Sequence, residues 1–536
     1  MKRVKWLLTL LTLVLFVACG GGGAKTETKA EAEKKVVRIN LGQEPGTMDP
    51  QLTTDQSAMQ ILPFIMEGLT RLGATGDVVP GVAESWSVDG NKWTFKLRDT
   101  KWSNGKLVTA HDFVFGIRRA IEPETASEYA YMTYYIKNAQ AYNEGKIKDF
   151  SKVGVKALDD KTVVFELEKP AAYFASVTAF PTYYPLNEEF FKEKGEEYAL
   201  EKDNFLFNGP FKMTGWEHDS KIVLEKRADY WNASAIKLDG ITALMVNDSN
   251  TALNMYKNGE LDIVGLGGDQ LPEFKNSPEL VTYSDGSVWY FEFNTKHPLL
   301  KNRKIREAIT IAIDRKELVE KIKKDGSKAG QGMVPYGFPG IDKGFREDFG
   351  SELYKDNDVE RAKKLLAEGL KEVGHTGPVE LSLLTGTSDT ATKEAQFYQE
   401  QLRTKLGIET KIEQVTFQIR LQRMSSKDFE IVLAGWGPDY NDPMTYMDLW
   451  VTNGGNNHTG WGNAEYDALI NKAQTSSDNK VRMEAMAAAE KILAKEFPIG
   501  VTFYRNRNRL VKPYLKNVYF RAVGQETDLY YADIQK

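Results

Sequence analysis

Apolar and polar positions along the chain mark out strands and helices before any composition is considered. In "KWTFKLR" (92–98), Trp93, Phe95 and Leu97 alternate with Lys92, Thr94 and Lys96, which predicts a half-buried strand. "VVRINLG" (36–42) is a short apolar run ended by glycine, and "KTVVFELE" (161–168) is another, stopped by Pro170. Helical spacing dominates 302–322, where Ile305, Ala308, Ile309, Ala312 and Ile313 share one face and Asn302 is placed to cap the first turn. The same reading predicts a helix over 358–370, with Asp358 as cap and Val359, Ala362, Leu365 and Leu366 turned inward. A buried strand (379–385), a helix (about 391–405) and a strand (408–416) follow. Such alternation is that of a βα unit with mostly parallel strands, so the fold class expected is α/β.

The chain has 536 residues, too many for one core, so two to four domains are expected. Its formal charge is -5, with 27% charged and 11% aromatic residues, and no basic stripe of the kind nucleic acid requires. The single cysteine, Cys19, rules out an internal disulfide and a cysteine metal cluster. Lys2, Arg3 and Lys5 precede an apolar run, Trp6 to Ala18, that is too short to span a membrane and ends "LFVAC" before "GGGG". Residues 1–18 therefore read as a secretory signal peptide. They resemble a bacterial lipoprotein signal, whose cleavage leaves a lipid-modified cysteine, here Cys19, as membrane anchor; Phe16 stands where leucine is commonest in that motif. Residues 19–35 are small, polar and charged, a flexible tether ahead of a folded body starting near Val36. This places the protein outside the cytoplasm, lipid-anchored to a bacterial membrane, where ATP and nicotinamide cofactors are not expected.

Enzyme signatures are missing from the sequence. The five histidines lack zincin spacing, there is no Gly-x-Ser-x-Gly elbow and no phosphate loop, and "VGLGGDQL" (264–271) reads as a tight turn. No catalytic residue, metal ligand or cofactor is assigned. Four aromatic patches stand out: "YAYMTYY" (129–135), "FPTYYP" (180–185), "WYFEF" (289–293) and "GWGPDY" (435–440). Tyrosine and tryptophan carry polar handles on large apolar bodies, which suits either a core or the wall of a wet ligand cleft.

Several stretches carry a family resemblance. "VVPGVAESWSVDGNKWTFKLRDTKWSNGKLVTAHDFVFGIRRA" (78–120), "NGPFKMTGW" (208–216), "ADYWN" (228–232), "FNTKHPLLKNRKIREAITIAIDR" (293–315) and "GWGPDYNDP" (435–443) resemble, in order, the extracellular solute-binding proteins of peptide ABC transporters. The resemblance implies a two-lobed periplasmic-binding-protein fold of type II, with an additional third domain and the ligand enclosed between the lobes. Lobe I is expected at 36–57, 182–282 and 502–536, the extra domain at 58–181 and lobe II at 283–501. It implies an oligopeptide ligand, membrane permease subunits as partners, and a monomer. Its Trp-x-x-Asp-Tyr motif falls on Trp436 to Tyr440, so Asp439 is expected to pair with the ligand's α-amino group, with Gly435 and Trp436 beside it. Glu44, Tyr290, Glu292, Phe417 and Tyr131, in the 129–135 segment, match other cleft positions. Two arginines and a histidine that receive the ligand carboxylate in enterobacterial members fall here on Leu433, Met424 and Ala391, with Arg423 adjacent. That departure predicts a ligand whose C-terminus is not clamped. Other solutes of the family (dipeptides, oligosaccharides, a nickel chelate, haem) remain open, as does a secreted hydrolase from a different class.

Overall fold

A computed structural model describes residues 34–74 and 76–536, without the side chains of Asp389, Phe417 and Gln418. Cys19, the signal segment and the tether up to residue 33 lie outside the described residues. The apolar run near the start forms strand β1 (Val36–Asn40). Just ahead of it, Lys35 is already tied to the folded body through Asp533, 2.6 Å away, and Asp239.

A small antiparallel sheet comes next. It contains β2 (Ala83–Asp89), β3 (Lys92–Leu97), β4 (Val155–Asp159) and β5 (Thr162–Glu166), in the order β2-β3-β5-β4. The alternation at 92–97 behaves as predicted: Trp93, Phe95 and Leu97 are buried, and their polar neighbours are not. Helix α1 (Ala110–Ile121) packs on this sheet, started by a capping box in which Asp112 Oδ2 accepts from Thr109 N at 2.8 Å.

The main sheet gathers strands from across the chain: β6 (Phe211–Glu217), β7 (Lys221–Lys226), β8 (Gly240–Leu244), β9 (Ile263–Gly265), β10 (Leu280–Phe293), β11 (Val379–Thr385), β12 (Ile408–Gln414), β13 (Ile431–Trp436) and β14 (Ile499–Val511). Its order is β12-β11-β13-β10-β14-β9-β1-β8-β7-β6, and Lys328–Ala329 adds a short pairing to β14. The β11–β12 pair is parallel and joined through a helix, as the 379–416 alternation predicts. β10 and β14 are the long strands that join the two halves of the sheet. Their register is broken between Ser284 and Val288, where residues 285–287 interrupt the ladder, and shifts again between Trp289 and Tyr290.

The two faces of this sheet bury different cores. Val288 and Tyr290 on β10, with Val432 and Ala434 on β13, join one core. Phe291, Phe293, Ile431 and Leu433 join the other, with Ile305, Ile309, Leu366 and Tyr398. The latter come from α2 (Arg303–Ala312), α3 (Val359–Val373) and α4 (Asp389–Leu406).

One predicted helix is divided. Asn302 caps α2 through Lys304 N at 2.9 Å, but the helix stops at Ile313, whose ψ of 131° is extended. Asp314 then caps a new start through Glu317 N at 2.8 Å. The reason is tertiary. Arg315, fully buried, spends its guanidinium on the carbonyls of Gly330, Val501 and Thr310 and on Asp356, which a straight helix would not allow.

Candidate functional site

β13 carries the feature on which the site is built. On one side it pairs with β10 along its whole length, Ile431 to Trp436. On the other side β11 pairs only with Ile431 and Val432. Asn294 N donates to Glu430 O in the same antiparallel register, so the peptide groups of Leu433 and Gly435 face away from β10. Arg420, on α5 (Phe417–Ser425), takes the Leu433 carbonyl through Nη1 at 3.0 Å. Beyond that point Gly435 and Gly437 are exposed, and no strand among the described residues covers this edge. An open stretch of strand backbone is a template for one more extended chain.

Two glycines bring the backbone here close to its neighbours. A Cβ on Gly435 would lie 2.8 Å from the Trp289 ring across the ladder. A Cβ on Gly286, in the register break of β10, would lie 2.8 Å from Pro438, and Gly286 also has φ +70°. Tyr446 Oη donates to Gly286 O at 2.7 Å, so the loop after β13 is fastened to the middle of the long strands.

Asp439 sits at the end of that loop, half-buried, its N–H donating to Thr445 Oγ1 at 3.1 Å. Tyr131 Oη donates to Asp439 Oδ2 at 3.5 Å, and the Tyr129 ring lies 5.6 Å from that of Tyr131. Burial, reinforced by the nearby Asp448 carboxylate, pushes the Asp439 carboxyl up to about 7. Asp442, the other acid of the "GWGPDYNDP" stretch, behaves differently. It is buried, with both carboxylate oxygens 2.8 Å from Arg482 Nη2, and Oδ1 accepts from Met444 N at 2.9 Å. Arg482 belongs to α6 (Asn479–Glu496), and its guanidinium also lies 5.2 Å from the Tyr173 ring. Tyr173 stacks on Tyr440 with centroids 5.0 Å apart. One acid of the stretch is thus locked in a buried ion pair, while the other faces a tyrosine wall.

The remaining predicted residues are distributed unevenly. Trp436 continues the ladder opposite Val288, and its Nε1 is buried with no hydrogen-bond partner among the described residues. A buried donor in that state is costly unless water or a ligand meets it. Tyr290 and Glu292 share one face of β10, 2% and 1% exposed. The Tyr290 ring meets Trp450 edge-on at 5.4 Å, and His458 Nδ1 lies 3.4 Å from Glu292 Oε2. Both line the sheet beneath the 440–466 segment and do not form its open surface. Glu44 is engaged by Trp216 Nε1 at 2.7 Å, His218 Nδ1 at 2.9 Å and Asp219 N at 2.9 Å, a cluster with no contact to Asp439 among those described. The Phe417 side chain lies outside the described residues.

At the far end, Leu433 is fully buried in the helix-side core and Met424 is buried in the other. Arg423 is occupied by Glu413 at 2.9 Å and Asp428 at 3.2 Å. Sequence reasoning missed Arg420, which stands at the Leu433 carbonyl with its charge influencing Tyr290. It also missed Asp448 and Tyr173. Their aromatic and acidic character is visible in the sequence, but their convergence on residues 439–448 is not.

These features define a class: a ligand-binding α/β protein with an open strand edge and a half-buried acid beside it. Residues 77–458 match the family described as bacterial extracellular solute-binding proteins, family 5 Middle. The chain is 37% identical over 538 residues to the oligopeptide-binding protein OppA of Bacillus subtilis (strain 168), covering 96% of this chain and 97% of that protein. It is 35% identical to the dipeptide-binding protein DppE of the same organism, over 99% of this chain and 100% of that protein. Among solved structures, Listeria monocytogenes OppA bound to peptide is 34% identical, covers 94% of this chain and 99% of that one, and superposes with a TM-score of 0.82. The chain belongs to family 5 of the bacterial extracellular solute-binding proteins, and its fold is the α/β fold of the periplasmic-binding-protein type seen in the OppA structures.

Proposed function

We propose that this protein captures oligopeptides outside the cytoplasm and delivers them to the permease of an ABC importer. One observation carries the reading: the uncovered end of β13 at Gly435 runs through Gly437 directly into Asp439. A peptide laid along that edge gains main-chain hydrogen bonds without regard to its sequence. Its α-ammonium then meets the Asp439 carboxylate beside Tyr131. Coulomb attraction at about 4 Å is of order 4 kcal/mol at an effective dielectric near 20, before desolvation is subtracted. The names of the OppA relatives, and the peptide in the Listeria structure, support the same ligand class.

In this reading 36–57, 182–282 and 502–536 form lobe I, 58–181 the extra domain and 283–501 lobe II, hinged where the register of β10 and β14 breaks. Cys19 carries the lipid that holds the protein at the membrane, and it acts as a monomer that binds and releases without chemistry on the ligand. Native mass spectrometry of the purified protein tests the ligand class, since an enclosed peptide adds its own mass. Asp439→Ala is expected to weaken peptide binding by about 30-fold to 1,000-fold, the span of one charge-assisted contact of about 2–4 kcal/mol. Unchanged affinity in calorimetry would remove the amino-group role. Peptide turnover in place of stoichiometric binding would restore the hydrolase reading.

A further inference from the structure

The glycines at 435 and 437 leave the neighbouring side chains of β10 uncovered on one face of the sheet. Gly435 stands directly across the ladder from Trp289, and residues so paired share a face. A Cβ on Gly435 would lie 2.8 Å from Trp289 Cε2 and 2.9 Å from Cδ2, so the middle of the indole lies against this glycine. A Cβ on Gly437, next along the same face, would lie 3.6 Å from Ser287 Oγ. Both glycines are exposed, and Trp289 is only half-buried.

The indole is fixed from its other side. On the flanking strand β14 the buried Phe503 ring stacks on it, with centroids 5.9 Å apart and 7° between the planes. Lys323 Nζ, held by Glu394 at 2.7 Å, sits 4.2 Å from the Phe503 centroid. The Arg505 guanidinium lies 5.8 Å from the Trp289 ring, on the Ser287 side. It is anchored there through Nε to Asp285 Oδ2 at 2.7 Å and through Nη2 to Ser287 Oγ at 3.0 Å. Trp289 is therefore a rigid platform with Phe503 on one flank and a bare glycine on the other.

A ligand chain that starts at Asp439 and follows this edge runs antiparallel to β13. The β13 peptide groups facing it belong to alternate residues, so ligand residue 1 stands across from Gly437 and residue 3 across from Gly435. The side chain of residue 3 then points to the Trp289 face, and that of residue 2, across from Trp436, points to the opposite face. Two strand spacings, about 10 Å, separate residue 3 from β10, with only Gly435 between them. That lane has room for one flat ring laid against the indole.

We propose that Trp289 sets specificity for the third residue of the ligand, forming a subsite for a planar aromatic side chain stacked on the indole over Gly435. The proposal deepens the oligopeptide reading and rests on Asp439 as the amine contact, which fixes the register. A ring at this place gains an aromatic pair that an aliphatic side chain lacks, a difference of about 2-fold to 12-fold in affinity.

The test is calorimetry with alanine tetrapeptides carrying one phenylalanine or one leucine at each position in turn. In the wild type, phenylalanine at position 3 should bind about 2-fold to 12-fold more tightly than leucine there. Equal affinities at that position overturn the proposal without any mutation. Trp289→Leu should bring the ratio at position 3 to about one and leave the ratio at position 2, beside Trp436, unchanged. Trp289→Phe keeps a ring and should restore most of the preference. A merely structural role would weaken all the peptides alike, and a preference at position 3 that survives in Trp289→Leu also overturns the subsite. Acetylating the peptide amine separates the two readings. If acetylated and free peptides bind equally, the amine site and the register drawn from it fall together; a weakened acetylated peptide with no preference at position 3 leaves the amine site standing and overturns the subsite alone.

Discussion

Replacing Arg482 by methionine is the perturbation that best tests how the ligand loop is held. Asp442 and Arg482 are 5% and 4% exposed, and among the described residues the carboxylate receives only Arg482 Nη2 and Met444 N. Burial raises the Asp442 carboxyl even with Arg482 beside it, so desolvation outweighs the attraction and the pair stabilises little relative to an apolar one. Removing a single partner is another matter. It leaves a buried carboxylate with one N–H donor, a situation that costs about 3–5 kcal/mol. An exposed pair such as Lys192–Glu188, 69% and 52% exposed, would lose about 0.2–1 kcal/mol. Arg482→Met should therefore lower the urea midpoint substantially, more at pH 8 than at pH 5, because at low pH Asp442 is relieved by taking a proton. The double variant Arg482→Met/Asp442→Asn removes the charge and keeps an acceptor for Met444 N, so most of the loss should return. Unfolding followed by both circular dichroism and tryptophan fluorescence checks that one transition is being compared. A single variant that loses less than about 1 kcal/mol, or a double variant as damaged as the single, would refute the reasoning.

Two other outcomes are expected. Gly435→Val drives a side chain into the Trp289 ring, 2.8 Å from the added Cβ; it should cost about 1–3 kcal/mol by overpacking and weaken peptide binding, readable by melting and titration. The empty protein should become more stable as the pH is lowered from 8 to 5. Asp439 and Asp448 bind protons more tightly folded than unfolded, so their contribution is gained as pH falls through about 7; about two units of the shift are realised by pH 5, on the order of 3 kcal/mol per group. A saturating peptide should reduce this trend, and thermal melts across pH check both statements.

The sequence by itself determined whatever rests on local periodicity and backbone chemistry. Alternation at 92–97 set which residues of β3 are buried, and the capping asparagine at 302 set where α2 begins. The strand–helix–strand pattern of 379–414 set a parallel pair. Motif order along the chain was enough to nominate Asp439 as the expected ligand contact and to separate it from Asp442, whose place before Pro443 marks a structural turn.

The tertiary structure decided everything that depends on side chains far apart in the chain. Arg482 is 40 residues from its partner, and Tyr131 is 308 residues from Asp439. Glu44 reads as a cleft acid in sequence, yet it is taken up by Trp216 and His218 from a hairpin more than 170 residues away. Helical spacing runs unbroken through Ile313, and the break there follows from Arg315 reaching carbonyls on other elements. Periodicity records which face of an element is apolar. It does not record which buried charge finds which partner, because that choice is made by desolvation and hydrogen-bond geometry once the core has closed.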